Sequence, residues 1–512
     1  MKVLVYSQGL QKGFCAALST CMSSRGHSAK LVVASQGSRR EFVNAGVCAE
    51  ERILVLNPPD IAFDRTELID ECLKRELQYG ETLSLLISER RSLGKGYYFN
   101  VEQHPEVASA WKSHDEKKLE ILQEMLAWEQ ILDQEKPELV IDVTSNHILR
   151  VITRTRQIPH FSLIAARMGD RYIWCDTEFW QSSHLHQAIG QYMAEAIKDG
   201  KIEYKEYVKD AGASPLLDLS RYERKACLAS SFRYLTKQTK KWVRTFSLNA
   251  VKRCLGKKVS VPDWKKSYSL FGWLPSMITC PSNLNFLRKN GKHPDQLAGR
   301  RLIYVPLHME PEIALHQLSP EYCNVMEMIT QVSKAVPADC LLVIREHPLS
   351  FGVRGQMFYR NLLRMANVVI AYPDIDSWTW VRASKVTAAI TGTVGYEAVY
   401  FKKPVISFGR HQLINHLPTV RHSLCLRGLR HNINELLNIN ENDPLFSQAR
   451  EALWRTTTHY SVELKGFGLD YKNSLAPKEY LANKAIDLLF NRYWPNLKLP
   501  QPKFLYPIEE AV

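Results

Sequence analysis

The segment 388–409, AAITGTVGYEAVYFKKPVISFG, is the feature that most constrains the fold of this chain. An apolar run, a turn, a helical pattern and a second apolar run predict a βαβ unit, which requires a parallel sheet. The turn Thr391, Gly392 and Thr393 precedes the helix, where N–H groups and the helix dipole favour an anion. Glu397, on the first helical turn, is a candidate for binding ribose hydroxyls. The alternative is a capped helix that follows an ordinary glycine turn, which would show the same sequence pattern.

Two further strands of the second half end in polar groups. His308 and Glu310 follow a strand that ends at 305, and Arg345 and His347 follow one that ends at 344. Parallel strands end at the same edge of a sheet, where ligands of such folds bind. The sequence therefore predicts that these side chains meet the threonine turn in one pocket.

The first half begins with the same strand, loop, helix and strand order. Its first strand is followed by a glycine-containing loop that includes Gln8, and a later strand, 139–143, contains Asp142 and precedes His147. A third strand is followed by two arginines that flank an aspartate. We expect Asp142 to be a catalytic candidate, although a capping network would explain it too. The acceptor-side candidates are Gln8, His147, Arg167 and Asp170, of which the last two are equally explained by an ion pair that holds their loop.

These patterns predict two doubly wound, Rossmann-like α/β domains that face a central cleft. The stretch from Pro281 to Gly299 is polar and predicts a loop. The predicted divisions are an acceptor-side domain at 1–210, a basic helical connector at 211–299, a nucleotide-sugar-binding domain at 300–475, and a C-terminal helix with a tail at 476–512.

Most of the net charge of +14 lies in the connector. Residues 221–258 hold twelve Lys or Arg and one acid, interleaved with apolar residues at helical spacing. This pattern is typical of a helix that lies on an anionic membrane surface. The alternative is a connector whose lysines are simply solvated. Because no nucleic-acid-binding motif accompanies the charge, nucleic acid is not expected as a partner.

Cysteine usage and hydropathy restrict the compartment and the metal chemistry. The eleven cysteines are scattered without a Cys-x-x-Cys pair, so we expect reduced thiols and no metal site. No apolar run approaches the roughly 20 residues of a membrane span. The sequence predicts a cytoplasmic protein, peripheral at the inner face of the membrane.

The predicted pocket suits a transferase for nucleotide-activated sugars. His347 and Arg345 would neutralise the leaving nucleotide phosphate as its charge develops. The two threonines would hold the same phosphate. His308 and Glu310 lie at a neighbouring strand end and would meet the sugar.

Four motifs, PLHMEPE, REHP, TGTVGYEA and KPVISFG, resemble the C-terminal half of bacterial capsule polysaccharide biosynthesis proteins. That group includes Kdo (3-deoxy-octulosonic acid) transferases. The His-Pro pair and the later threonine turn are also similar to the bacterial sialyltransferase pattern, in which both elements bind CMP. The matching positions are His347 and Pro348 for the first motif and Thr391 and Thr393 for the second.

The resemblance implies a GT-B fold, a CMP-sugar donor such as CMP-Kdo, no obligatory metal, and work at the inner membrane face. The first half shows no convincing acidic-acidic-Gly motif, which supplies the base in sialyltransferases. The base and the stereochemical outcome therefore stay open, with Asp142, His147 and Asp170 as candidates for the base. The residues that the resemblance and the residue pattern together assign are catalytic His347, His308, Glu310 and Asp142, and donor-binding Arg345, Glu346, Pro348, Thr391, Gly392, Thr393 and Glu397.

The sequence thus predicts a glycosyltransferase that moves a Kdo-like acidic sugar from a CMP donor to a capsular polysaccharide or glycolipid. Expected partners are the donor, a glycan or lipid-linked acceptor, the anionic membrane surface and capsule-assembly proteins. Two alternatives remain open. One is a GT-B transferase that uses a UDP- or GDP-hexose or a CDP-alcohol, and the other is a capsule-assembly scaffold without turnover.

Overall fold

Two predominantly parallel sheets, each flanked by helices, form the framework of the chain. This computed structural model describes residues 1–7, 12–90, 92–94, 96–98, 112–143, 145–200, 219–254, 270–423, 425–464 and 479–496. The predicted fold class, α/β of the GT-B type with two doubly wound domains, is confirmed.

The first sheet has seven strands in the order β13-β6-β5-β4-β1-β2-β3, of which β13 is Ser461–Glu463 from late in the chain. The five strands from β5 to β3 are parallel, and β6 pairs antiparallel with β5. Near-continuous apolar runs bury these strands on both faces, as expected of a covered parallel sheet. The strands contributed by the first half are β1 Lys2–Ser7, β2 Ser28–Val33, β3 Ile53–Val55, β4 Leu139–Asp142, β5 His160–Ala165 and β6 Arg171–Cys175.

Helices of the first half begin at polar caps that the sequence encodes. Asp64 and Glu67 form a reciprocal capping box, and Ser113 and Glu116 form another. Each box satisfies N–H groups that a helix start leaves unpaired. The helices are α1 Lys12–Ser24, α2 Gln36–Asn44, α3 Arg65–Tyr79, α4 Leu83–Glu89, α5 His114–Glu135, α6 His147–Thr155 and α7 Ser183–Asp199.

Two long helices, α8 Arg224–Cys254 and α9 Leu270–Asn290, connect the halves. The predicted loop from Pro281 to Gly299 is wrong over its first ten residues, because Pro281 lies inside α9. The helix persists because Leu284 and Leu287 are buried in the core of the second domain, which outweighs the hydrogen bond lost at a proline.

The second sheet has six parallel strands in the order β12-β11-β10-β7-β8-β9. Its strands are β7 Arg301–Pro306, β8 Cys340–Arg345, β9 Val368–Ile370, β10 Val386–Ala389, β11 Val405–Ser407 and β12 Val420–His422. Its helices are α10 Ile313–Leu318, α11 Val325–Ala335, α12 Gln356–Leu363, α13 Ser377–Ala383, α14 Thr393–Tyr400 and α15 Leu426–Leu437.

The chain then returns to the first sheet through α16 Pro444–His459 and β13 Ser461–Glu463. Strand β13 pairs antiparallel with β6, and α17 Glu479–Leu488 packs on α1. Trp174 of β6 donates its indole N–H to the Ala485 carbonyl at 2.8 Å. Strand β13, near the end of the predicted range 300–475, therefore belongs to the first domain by its sheet pairing. The described part of 476–512 packs on the same domain. The remaining domain divisions stay predictions.

Within the part of the chain that the structure describes, no helix is long and apolar enough to cross a membrane. Helix α8 instead exposes two large apolar side chains one helical turn apart, Leu228 and Phe232.

Candidate active site

Strands β10, β7 and β8 lie side by side, so the three polar strand ends of the second half meet at one sheet edge. The outer two strands are about 10 Å apart, twice the usual strand spacing. The Nε2 atom of His308 accepts the Thr391 backbone N–H at 3.4 Å. A Cβ atom added at Gly392 would lie 3.4 Å from the His308 ring, at ordinary van der Waals distance, so the turn lies next to this ring.

Arg354 holds the loops after β7 and β8 together. Its side chain is 0 % exposed and bonds the Glu310 carboxylate through Nε at 3.0 Å and Nη2 at 2.6 Å. Nη2 also donates to the His308 carbonyl at 2.7 Å, and Nη1 donates to Glu346. Tyr359 donates its hydroxyl to the other Glu346 oxygen at 2.8 Å. Two buried carboxylates and one carbonyl thus share one guanidinium.

This arrangement changes what we assign to Glu310 and Glu346. Both side chains are buried and bonded to Arg354, so we assign them to positioning the site rather than to contact with a sugar or nucleotide. The carboxylate that partners His308 is Glu312, whose Oε2 lies 3.3 Å from Nδ1. Burial opposes ionisation of Glu312, yet the His308 hydrogen bond and the nearby Arg167 keep its pKa below the usual value.

His347 is a neutral hydrogen-bond donor in the free protein. Burial, aided by Arg354 and opposed by Glu312, lowers its pKa to about 4. Nδ1 accepts the Leu349 N–H at 3.2 Å, so the proton resides on Nε2. His347 therefore carries an N–H group at Nε2, while the positive charge at this strand end comes from Arg345.

Several polar atoms around the threonine turn lack a hydrogen-bond partner among the described residues. They include the buried Thr391 Oγ1 and Glu397 Oε2. Burial raises the pKa of Glu397 to about 7, against the opposing effect of nearby Arg345. The Arg345 Nε donates to the Ile375 carbonyl at 3.0 Å. Thr393 is exposed at the start of α14, and Pro348 starts a short 3-10 turn. The turn thus presents unsatisfied donors and acceptors.

Asp142 lies in the interior of the first domain. Its side chain is 0 % exposed, and Oδ2 accepts the Asn146 N–H at 2.9 Å and lies 3.3 Å from His160 Nε2. Burial opposes its charge, but His160 and Arg150 together lower its pKa. We therefore assign Asp142 to holding the strand end and helix α6, as the capping alternative predicts.

The remaining first-domain candidates occupy different settings. His147 is buried at the start of α6 beside Glu89, and Arg167 is half-buried on the β5–β6 turn with a φ of 60°. Asp170 is exposed on that turn, and its carbonyl accepts the Leu464 N–H. Gln8 lies outside the described residues. Of these candidates, His147 is the one whose side chain an ion pair holds in position.

Sequence reasoning missed three functional side chains: Glu312, Arg354 and Glu89. Glu312 lies within the PLHMEPE motif, two positions after Glu310. The presence of this second carboxylate in the motif was the signal by which it could have been found. Arg354 and Glu89 lie outside every motif, and only the fold brings them to their partners. Among the described residues, no three His, Cys, Asp or Glu side chains form a group able to hold a metal ion.

The two sheets and the polar edge of the second define an α/β protein of the GT-B type. Residues 289–412, which contain that edge, match the family described as capsule polysaccharide biosynthesis protein. The predicted resemblance to this family is confirmed over the matched segment. No curated protein sequence matches the chain.

Solved structures that match the chain are remote. S. aureus MnaA bound to UDP is 12% identical, covers 98% of each chain and has a TM-score of 0.29. Thermosulfurimonas dismutans KpsC, a beta Kdo 2,7 transferase, is 12% identical over 60% of this chain and 80% of its own, with a TM-score of 0.27. The Streptomyces sp. SF2575 glycosyltransferase SsfS6 is 11% identical over 90% of this chain and 96% of its own, at 0.25.

Removing Arg354 should destabilise the second domain strongly. In Arg354→Ala, Glu310 and Glu346 remain buried without a counter-charge, which typically costs about 3–5 kcal/mol. Chemical unfolding measures the loss. The control is Arg301→Ala, which breaks an exposed ion pair with Asp339 and should change stability little. Equal losses in the two variants would contradict a central role for Arg354.

Glu397→Gln should stabilise the protein selectively at alkaline pH. The pKa of Glu397 is about 7 when folded and near 4.5 when unfolded, so wild type loses stability as pH rises through this window. Glutamine removes that loss, and we expect a gain of about 3 kcal/mol at pH 8 and less than about 1 kcal/mol at pH 5. Unfolding at both pH values measures it. Glu435→Gln, which removes an exposed partner of Arg421, should show no such gain.

Proposed function

We propose that this chain is a glycosyltransferase that moves a Kdo-like acidic sugar from a CMP-activated donor to a capsular or other cell-surface glycan or glycolipid. The observation that carries the proposal is the meeting of His308, His347, Arg345 and Thr391 at one sheet edge. This edge lies inside the segment that matches capsule polysaccharide biosynthesis proteins.

The second domain supplies groups suited to a departing nucleotide phosphate. The guanidinium of Arg345 offsets the negative charge, and the neutral His347 ring donates a hydrogen bond from Nε2. The turn at Thr391 adds a hydroxyl without a partner and backbone N–H groups at the start of α14. Such donors lower the barrier because they act where charge develops. The proposal therefore requires no obligatory metal.

The position of Arg167 supports the proposal that the transferred sugar is acidic. This residue projects from the first domain into a pocket that Tyr396 and Gln412 of the second domain also line. A Cβ atom built on Gly409 would lie 3.0 Å from both Gln412 Cγ and Thr391 Cγ2, so the pocket adjoins the turn at Thr391. No carboxylate among the described residues lies within ion-pair distance of Arg167. A guanidinium left unpaired there suits the carboxylate of an ulosonic acid.

His347→Ala should abolish transfer while leaving the fold intact. Removing one preorganised donor from a developing charge costs about 100- to 1,000-fold in kcat. The measurement is nucleotide release from CMP-Kdo, UDP-hexose, GDP-hexose and CDP-alcohol donors, with thermal unfolding as the check on folding. The control is His431→Ala, which removes an exposed histidine of the same domain.

The donor panel separates the alternatives. Release of CMP from a CMP-ulosonic acid alone supports the proposed donor. Turnover of a UDP- or GDP-hexose or a CDP-alcohol would instead support the alternative of a GT-B transferase with that donor. Polymer output that is unchanged in His347→Ala would point to a scaffold without turnover.

We further propose that the chain is cytoplasmic and binds the anionic inner face of the membrane through residues 221–258. Leu228 and Phe232 are 60% and 71% exposed and lie on one face of the basic helix α8. Apolar side chains can insert between headgroups while neighbouring lysines and arginines attract anionic lipid. Capsule-assembly proteins remain proposed partners at that surface.

Replacing Lys237, Lys240 and Lys241 together by Gln should weaken binding to anionic vesicles. Each basic residue near such a surface contributes about 1 kcal/mol, so three should reduce the partition coefficient by about 100-fold. Flotation with phosphatidylglycerol vesicles measures it, and zwitterionic vesicles are the control. Unchanged flotation of the triple variant would exclude this segment as the membrane contact.

A further inference from the structure

A second histidine–carboxylate pair lies at the carboxyl edge of the first sheet. His147 is the first residue of α6, directly after β4 and its loop. Asn146 caps this helix by accepting the Leu149 N–H at 2.9 Å, and Ser145 adopts a φ of 43°. A non-glycine residue in the left-handed region stores backbone strain, which is common at functional sites. The loop thus fixes where the His147 ring stands.

Glu89 orients this ring. Its two carboxylate oxygens lie 2.7 and 2.8 Å from His147 Nδ1, and both side chains are less than 10% exposed. Because the carboxylate accepts the proton of Nδ1, Nε2 carries the lone pair in the neutral ring. Nε2 is buried and has no hydrogen-bond partner among the described residues. A carboxylate-oriented imidazole with a free ring nitrogen is suited to accept a proton.

The helix that ends at Glu89 contacts the second domain. Glu89 is the last residue of α4, and α4 packs against α10, which begins one residue after Glu312. Gln317 of α10 donates to the Glu178 carbonyl at 2.7 Å, and Tyr98 packs edge-on against His316 at 4.5 Å between ring centres. Contacts between the two domains therefore bring the His147 pair beside the element that follows the His308–Glu312 pair.

We propose that His147 is the general base that takes the proton of the acceptor hydroxyl, and that Glu89 is the residue that positions it. This inference rests on the proposed function. It assigns acceptor activation to the first domain and donor activation to the second.

The step balances as a displacement at the anomeric carbon. The acceptor oxygen forms a bond to that carbon as its proton passes to His147 Nε2. The bond from the carbon to the phosphate oxygen breaks, and the nucleotide leaves with the electron pair. His147 ends as an imidazolium beside the Glu89 carboxylate, and the positive charge at Arg345 faces the released phosphate.

The other candidate bases of the first domain fit less well. Asp142 is fully buried, and Asn146 and His160 engage its carboxylate. Asp170 is exposed on the β5–β6 turn. Among the described residues, no hydrogen bond orients its carboxylate toward an acceptor. His147 combines a fixed orientation with a free proton-accepting atom.

The charges around His147 determine its pH dependence. Burial disfavours the imidazolium, but Glu89 of α4, Glu178 after β6 and Glu81 before α4 outweigh burial and raise the pKa of His147 above 6.5. Arg154, on the same helix, pairs with Glu178. A base must be unprotonated, so kcat/KM should rise with pH through this raised pKa.

His147→Gln should lower kcat by about 100- to 10,000-fold and remove the ascending limb of the pH profile. Binding of the donor, measured by calorimetry with CMP-Kdo or whichever donor the wild type turns over, should change by less than about 2-fold. His27→Gln, at a half-buried histidine of the same domain that packs against Phe490 and lies outside the proposed site, is the matched control. Retained donor binding shows that the variant is folded.

Glu89→Gln separates positioning from a purely structural role. Loss of the carboxylate should move the midpoint of the ascending limb to lower pH by about one unit and reduce kcat by about 10-fold. An unmoved midpoint, or a His147→Gln enzyme with wild-type kcat, would overturn this inference alone. A wild type that turns over no donor of the panel would overturn the proposed function and this inference together.

Discussion

The buried ion pairs of Arg354 are the interaction on which the site depends. One guanidinium joins Glu310 after β7 to Glu346 after β8, and it also binds the His308 carbonyl. Burying three charges is costly, and apolar side chains of similar volume often stabilise a fold at least as well. What the ion pairs provide is geometry. They fix the two loops that carry His308 and His347. The position of each imidazole ring is therefore set by the backbone of its loop as well as by its own rotamer.

The two sheet edges divide the chemistry between them. The second contributes a permanent positive charge at Arg345 and neutral donors at His347 and Thr391, which suit an anion that gains charge. The first contributes Arg167 and the His147–Glu89 pair. Imidazoles are present on both sides but in opposite electrostatic settings: burial and nearby cations hold His347 neutral, whereas three carboxylates favour charge on His147. Environment, rather than residue type, gives the two histidines different chemistry.

The sequence was sufficient to predict the sheet edge, because parallel strands end on one side and polar residues followed three of them. It could not select between Glu310 and Glu312, since the two are two positions apart and the choice depends on Arg354, which no motif contains. Pro281 misled the assignment of α9 because local propensity ignores the buried face of Leu284 and Leu287. The pairing of Glu89 with His147 spans 58 positions, and such distant contacts leave no periodic trace in a single sequence.

The return of β13 and α17 to the first sheet has a consequence for biosynthesis. Strand β6 has β13 as its outer neighbour, and Trp174 lacks its hydrogen-bond acceptor until Ala485 has been made. Domains generally fold in the order in which a ribosome releases them. The described strands of the second sheet have all been synthesised by residue 422. The first sheet, in contrast, still lacks its edge strand β13 and the covering helix α17 at that point. The nascent chain therefore completes its second domain first, and the first domain closes only afterwards.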